Sequence, residues 1–317
     1  VRLFHRDEQR QQRGLGHHRA ITSSSSSSAA ATASTAGMHS DTGRAALPDP
    51  SCHPAAARTG RPVELNARAP AFATMDPSMK FSIVVFPGSN CEHDCFHIVH
   101  NLLGCDAEYV WHHETDLKEP DAVILPGGFA YGDYLRSGAM ARFSPVMGPI
   151  AEFAARGGPV VGICNGFQVL CEARLLPGAL RVNKTLRYLC QDVHLRCENN
   201  RTPWTAGYAR GEIVRMPIGH GEGNYTAPRE DLDRLERENR IVFRYREPDG
   251  TPSDGSNPNG SDDAIAGICN EAGNVVGLMP HPDRCSEAIV GNAAGIAMFE
   301  SCVEWVRGAR PALVAAR

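Results

Sequence analysis

The sequence predicts an α/β fold, a three-layer sandwich with a mostly parallel central sheet and a disordered N-terminal extension. Three observations carry that expectation. Apolar runs rich in β-branched residues, at 81–86, 121–125 and 159–163, read as strands buried on both faces. Segments of helical spacing lie between them, beginning with Phe96, Val99, Leu102 and Leu103. Glycine- and proline-marked turns close several of the strands, as at Pro87-Gly88 and Pro126-Gly127-Gly128. Strands that alternate with helices bury both faces of a sheet under helical layers.

Taken in order, the elements begin with the strand at 81–86, which ends at Pro87-Gly88-Ser89-Asn90 and leads into the first helix. Two further buried strands are expected at 107–111 and 121–125, a helix around 143–156, and a strand at 159–163. After Gly178 the texture changes to alternating strands, at 187–196, 212–218 and 241–245. The runs at 264–269 and 275–279 flank Glu271-Ala272-Gly273-Asn274 and suit a hairpin. A last helix is expected over 289–306, and the sequence has no internal repeat.

Composition divides the chain. Residues 1–78 hold nine Arg, no Lys and six acidic residues, with serine at every position from 23 to 28, an Ala/Thr/Ser tract and a Pro-rich stretch. Such a segment buries too little apolar surface to offset chain entropy, so it is expected to be a disordered tail and 79–317 the folded domain. The 317 residues carry 32 Lys and Arg against 36 Asp and Glu; without the tail, 23 basic and 30 acidic residues remain, about −7. Interspersed charge of that sign gives no footprint for a phosphate backbone, and nucleic acid is not expected as a partner. No run approaches the roughly 18–20 apolar residues of a spanning helix, so no membrane span is expected.

Three readings of the tail compete: an organellar transit peptide, a disordered extension with a role, and translated upstream frame. Val1 in first place, Asp7 and Glu8 among the first residues, and Met79 just before the first strand favour the last, with Met75 as another candidate start. No apolar h-region of a signal peptide stands between Val1 and Ala20. Translation from near Met79 implies a cytoplasmic protein, whereas a genuine transit peptide implies an organellar one.

Eleven cysteines are an odd count, and Cys171, Cys190, Cys269 and Cys302 sit in apolar runs where a free thiol behaves as a small hydrophobe. Reduced core cysteines are therefore expected rather than a disulfide framework. Cys91, Cys95 and His97 have a C-x3-C-x-H spacing, but no second ligand pair stands at a recognised zinc spacing. They are read as one face of a helix, and no metal is expected.

The sharpest chemical signal is Gly162-Ile163-Cys164-Asn165-Gly166. It has the G-x-nucleophile-x-G form of an elbow between strand and helix: glycines allow the tight turn, and the helix N-terminus favours negative charge on the sulfur. A thiol that merely packs at such a turn is the plainer alternative. Pro280-His281-Pro282-Asp283 puts an imidazole and a carboxylate at the end of another strand, where His281 suits a general base toward Cys164, oriented by Asp283. The consecutive glycines in Pro126-Gly127-Gly128-Phe129-Ala130-Tyr131-Gly132-Asp133 let backbone N–H groups face a substrate oxygen, so Gly128 with Asn165 suits an oxyanion hole. A plain turn or a phosphate cradle is the alternative, and no Lys-Ser/Thr follows at P-loop spacing.

Five segments in register, Phe86-Pro87-Gly88-Ser89-Asn90-Cys91-Glu92 and residues 126–133, 162–168, 217–223 and 280–284, resemble the class I glutamine amidotransferase subunit of phosphoribosylformylglycinamidine synthase. The likeness runs from about Met79 to Trp305 and leaves the tail outside it. It implies the class I glutamine amidotransferase fold. It also implies that Cys164 attacks the side-chain amide of glutamine, that His281 shuttles protons, and that a glutamyl thioester is hydrolysed. By the same resemblance, ammonia passes through a channel to a separate synthetase subunit. That subunit would use ATP and Mg2+ to convert formylglycinamide ribonucleotide to the amidine in de novo purine synthesis, with a small bridging subunit completing the complex. No cofactor is expected on this chain.

Gly127, Gly128, Asn165 and Gln168 are then expected around the substrate. His220 and Glu222 line the glutamine pocket or the ammonia exit, or else form a solvated turn; Arg136 meets a substrate carboxylate or a nearby acid. The family usually carries Glu two residues after the catalytic His, where this chain has Asp283, shorter by one methylene. Two other classes stay in view. A stand-alone cysteine hydrolase of the α/β type is disfavoured because its Asp precedes the His in sequence. A catalytically impaired regulatory or binding subunit is suggested by Asp283 alone.

Overall fold

The first strand, β1 (Lys80–Val85), buries Phe81, Ser82, Ile83 and Val84 completely, as a strand covered on both faces must. It belongs to a computed structural model that describes residues 77–315, with side chains to residue 308. Except for its last two residues, the tail expected at 1–78 lies outside the described residues. Both β3 (Ala122–Leu125) and β4 (Val160–Ile163) are buried at every position. β2 (Asp106–Trp111), expected to be buried, is instead the sheet edge: Ala107 and Val110 are buried while Tyr109 and Trp111 are exposed, because an edge strand has a neighbouring strand on one side only.

The order β2-β1-β3-β4-β11, where β11 is Val275–Leu278, is parallel at every pairing. This is the parallel sheet that the apolar runs predict. The crossover from β1 to β2 contains α1 (Glu92–Phe96), which continues as a π-helical stretch over His97–Leu102. The crossover from β3 to β4 runs the other way along the sheet and contains α2 (Met147–Ala155); α3 (Asn165–Glu172) follows β4. Right-handed crossovers in opposite directions put α1 on one face and α2 on the other. The last helix, α5 (Ile296–Ala315), packs against the π-helical stretch and completes the third layer.

Beyond β11 the sheet turns antiparallel through β10 (Ile265–Cys269), β9 (Ile241–Arg246), β6 (Leu189–Cys197) and β7 (Ile213–His220). This wing is the structural meaning of the change in texture after Gly178. The hairpin expected across 271–274 joins β10 to β11, with Gly273 at φ +76°. A separate two-stranded sheet pairs β5 (Ala179–Arg181) with β8 (Asn224–Thr226).

Three differences from the sequence reading have local causes. The helix expected around 143–156 is a 3-10 turn, Ala141–Phe143, followed by α2; Ser144 is extended because it precedes Pro145. The last helix starts later than expected, since Gly291 at φ +83° ends a short 3-10 turn and Gly295 passes so close to Pro282 that a Cβ would lie 2.1 Å from its carbonyl oxygen. The helix α4 (Arg229–Arg237) was not anticipated: only Leu232 and Leu235 of its nine residues are buried, too few to show a period. All ten described cysteines are free, and Cys171, Cys269 and Cys302 are buried; Cys190, expected in the core, is exposed on the wing.

Candidate active site

Parallel strands share a carboxyl edge, and in this sheet the connections from β1 and β3 leave it in opposite directions, opening a crevice. The motifs follow these strands one by one: Cys91 after β1, Gly127 and Gly128 after β3, Cys164 after β4 and His281 after β11. The far edge of the antiparallel wing returns to the same place. The backbone N–H of His281 donates to Pro217 O at 2.8 Å, and Cys164 Sγ lies 3.8 Å from Gly219 O.

Cys164 caps α3 at φ 50°, ψ −104°, a conformation that L-residues rarely adopt and that neighbouring structure must impose. The imposition is visible. Its N–H donates to Leu278 O at 2.8 Å, and its carbonyl accepts from Gln168 N at 3.2 Å. The flanking glycines are required by crowding: a Cβ on Gly166 would lie 2.0 Å from Leu125 O, and one on Gly162 would lie 2.6 Å from the Gly166 backbone. The elbow therefore holds a buried sulfur at the mouth of a helix, as the motif predicts.

His281 and Asp283 are buried beside it. Nδ1 of His281 lies 3.2 and 3.3 Å from the two oxygens of Asp283, and the Cys164 sulfur lies beside the ring without closing a hydrogen bond to Nε2. Burial pulls the imidazole toward its neutral form, but the Asp283 carboxylate and the Cys164 sulfur outweigh it and hold the ring's proton affinity well above the ordinary histidine value. Gly127 sits against this ring, and a Cβ there would be 2.7 Å from His281 Cε1. Cys91 borders the same ring, its Sγ 4.0 Å from Nδ1 and 2.9 Å from Arg284 Nη2.

The glycine loop is pinned to the β1 loop by Asn90 N and Cys91 N, both donating to Gly127 O at 3.2 Å, and by Phe129 N donating to Gly88 O at 2.8 Å. These bonds leave the Gly128 N–H out. Asn165 Oδ1 accepts from Ala130 N at 3.1 Å, Asn165 Nδ2 donates to Gln168 Oε1 at 2.8 Å, and Gln168 Nε2 donates to Glu222 O at 2.6 Å. This buried chain of amides ties the glycine loop, α3 and the 217–223 segment together. The side chains of Asn165 and Gln168 thus brace the site, while the Asn165 N–H, at the first turn of α3, has no partner within the helix.

His220 is buried, and its Nε2 accepts from Asn259 Nδ2 at 3.2 Å, an amide that also donates to Gly223 O. Burial, aided by His281, lowers it to about 3 and keeps it neutral. Glu222 Oε2 accepts from Ser137 N at 3.2 Å. Sequence reasoning passed over Asp133, the last residue of the glycine motif. Its Oδ1 is buried without a hydrogen-bond partner among the described residues, and burial together with Glu222 raises the carboxyl to about 6. Arg136 resolves to the protein partner: it grips Glu172 through two bonds of 2.6 Å. Cys95 is in the core and His97 pairs with Glu287 at 2.8 Å, so the C-x3-C-x-H residues do not converge.

A cysteine at an elbow, a buried His-carboxylate pair on the adjacent strand and a facing glycine loop define a class of enzyme. The chain belongs to the CobB/CobQ-like glutamine amidotransferase family, whose model matches residues 78–306. It is 52% identical over 229 residues to phosphoribosylformylglycinamidine synthase subunit PurQ of Salinibacter ruber, covering 72% of this chain and 97% of that relative. To subunit PurQ of Moorella thermoacetica it is 51% identical over 227 residues, covering 72% of this chain and 96% of that relative. Among solved structures it resembles a chain in the structure of PurLQS from Thermotoga maritima, with a TM-score of 0.64 and 40% identity, over 72% of this chain and 99% of that one. The resemblance expected from five motifs in register is borne out.

Proposed function

We propose that this chain is the glutamine-hydrolysing subunit of a phosphoribosylformylglycinamidine synthase and that its residues 79–317 are the working domain. The observation that carries the reading is Cys164 at a strained elbow beside a buried imidazole with raised proton affinity. Cys164 Sγ attacks the carboxamide carbon of glutamine while His281 takes the thiol proton at Nε2. The oxyanion is received by the N–H groups of Gly128 and Asn165, and collapse expels ammonia with the proton returned from His281. Water, deprotonated by the same ring, then cleaves the glutamyl thioester to glutamate. Asp283 holds the ring and its charge throughout. The Asp133 carboxylate, whose Oδ1 is left without a partner among the described residues, meets the α-ammonium of glutamine with Glu222 beside it.

No step in this sequence uses a cofactor on this chain. ATP and Mg2+ belong to the synthetase subunit that accepts ammonia and converts formylglycinamide ribonucleotide to the amidine, and a small bridging subunit completes the assembly. Ammonia reaches that subunit through a channel rather than through solvent. Support for a partner surface near the site comes from Phe129, Tyr134, Leu135, Leu186 and Tyr188, large apolar side chains left exposed on the glycine loop and the loop before β6. No helix among the described residues is long and apolar enough to cross a membrane, and the complex is proposed to work in the cytoplasm.

The test is ammonia release from glutamine by residues 79–317, alone and with the synthetase, ATP and formylglycinamide ribonucleotide. Release that depends on the partner and disappears in Cys164→Ala is expected. A folded, partner-binding chain that releases none under any condition would favour the regulatory-subunit reading, to which Asp283 points.

A further inference from the structure

Three buried donors of different chemistry converge on one side of the His281 ring. Cys91 Sγ, a His281 ring nitrogen and an Asp283 oxygen all lie within 4.8 Å of one another. Cys91 Sγ is 4.0 Å from His281 Nδ1, and that nitrogen is 3.2 Å from Asp283 Oδ1. In a tetrahedral zinc site with Zn–S of about 2.3 Å and Zn–N and Zn–O of about 2.0–2.2 Å, the corresponding edges are roughly 3.5 and 3.3 Å. The observed spacings match these to within half an ångström, and the sulfur alone has to close in. These residues differ from the C-x3-C-x-H set read in the sequence: Cys91 is shared, but its companions come from the end of β11, 190 positions along the chain.

We infer that Cys91, His281 and Asp283 form a binding site for Zn2+ or a similar thiophilic divalent cation, and that occupancy turns the enzyme off. On binding, the Cys91 thiol and the His281 Nδ1–H each release a proton to solvent, and metal bonds form to Sγ, Nδ1 and a carboxylate oxygen, with a water completing the four-coordinate shell. Arg284 Nη2, 2.9 Å from Cys91 Sγ, remains as a donor to the thiolate outside the ligand shell. The consequence for the ring is specific. Metal on Nδ1 leaves the imidazole's one proton on Nε2, so the nitrogen facing Cys164 becomes a donor and cannot accept the thiol proton. The same metal takes the Asp283 oxygen that orients the ring. The inhibitory consequence rests on the reading of Cys164 and His281 as the catalytic pair, whereas the site itself does not.

The experiment titrates the full chain with Co2+ as a spectroscopic stand-in for Zn2+. One equivalent is expected to give a thiolate-to-cobalt charge-transfer band with tetrahedral ligand-field bands, bleached by added Zn2+. The band is expected to persist in Cys164→Ala and to vanish in Cys91→Ser, a near-isosteric change to a residue favoured at the N-cap position that Cys91 occupies before α1. Loss of affinity in Cys91→Ser should exceed the about 10–100-fold typical of removing a group outside the ligand shell. Absence of the band, or its survival in Cys91→Ser and loss in Cys164→Ala, overturns the assignment. In parallel, the ratio of glutamine hydrolysis without and with one equivalent of Zn2+ should be at least tenfold in the unaltered chain and near one in Cys91→Ser. The spectroscopic arm decides the site even where no glutamine is turned over, so failure of the site and failure of the proposed function are separate results.

Discussion

Both carboxylate oxygens of Asp283 stand almost equally far from His281 Nδ1, at 3.2 and 3.3 Å. A charge-assisted N–H···O bond prefers about 2.7–2.9 Å and one oxygen. The short side chain therefore stops at a bisecting position and orients the ring loosely. Asp283→Glu, longer by one methylene, should leave turnover equal or a few-fold higher. Asp283→Asn, which removes the charge and permits the wrong tautomer, should lower kcat roughly 10³–10⁴-fold. Steady-state kinetics of the two variants separate reach from charge, and a collapse in the Glu variant would mean that the backbone at this turn is built around Asp.

Gly127 keeps space for the imidazole. In Gly127→Ala the new methyl would lie 2.7 Å from His281 Cε1 and 3.0 Å from Cys91 Sγ, so the ring has to turn or shift. A displacement of that size should cost about 10²-fold in kcat, with far-ultraviolet circular dichroism unchanged. Gly148→Ala, whose Cβ would meet nothing within 4 Å, is the matched control and should keep full turnover.

Asp133 carries a charge that the fold resists. Its folded carboxyl is raised from 3.8 to about 6 by burial and by Glu222, so ionisation costs stability as the pH rises through that range. Asp133→Asn removes the cost: its Tm should exceed that of the parent at pH 7.5, with the gain shrinking as the pH falls from about 6 toward 4. If the carboxylate meets the glutamine ammonium, the same variant should raise KM while leaving kcat little changed. A higher Tm with unaltered KM would keep the strain and reject the substrate contact.

His220 makes the opposite contribution. Held neutral, with its pKa lowered to about 3 from 6.5, it binds a proton in the unfolded chain before it does in the folded one. Stability supplied by the neutral form is complete above 6.5 and is lost as the pH falls toward 3, with a slope of about 1.4 kcal/mol per pH unit from this one group. Urea titrations between pH 6.5 and 4.5 should show that slope diminished by one proton's worth in His220→Gln.

Much of the site was legible in the sequence because its parts are local. The elbow around Cys164 needs small residues within two positions on each side, and the crowding of Gly166 against Leu125 and of Gly162 against the Gly166 backbone explains why glycine stands there. His281 and Asp283 follow a continuous apolar strand, and continuous apolar runs mark the parallel strands whose carboxyl ends gather catalytic residues. Helix boundaries were less legible. Pro145 and Gly295 end or delay helices by steric contact, the latter with Pro282, 13 positions away, and Gly291 does so by its positive φ.

By itself, the sequence determined the alternation of strands and helices, the elbow cysteine, and the imidazole with its neighbouring carboxylate, because hydrophobic period and turn chemistry act over a few residues. Tertiary structure alone decided that β7 returns to the site through Pro217 and Gly219, that Gln168 braces Glu222, and that Asp133 Oδ1 is buried without a partner among the described residues. It also decided that Cys91 leaves Cys95 and His97 to border the ring of His281. The reason is common to all four. Each depends on the order in which strands join the sheet, and strand order is set by packing between segments far apart in the chain, which no local period records.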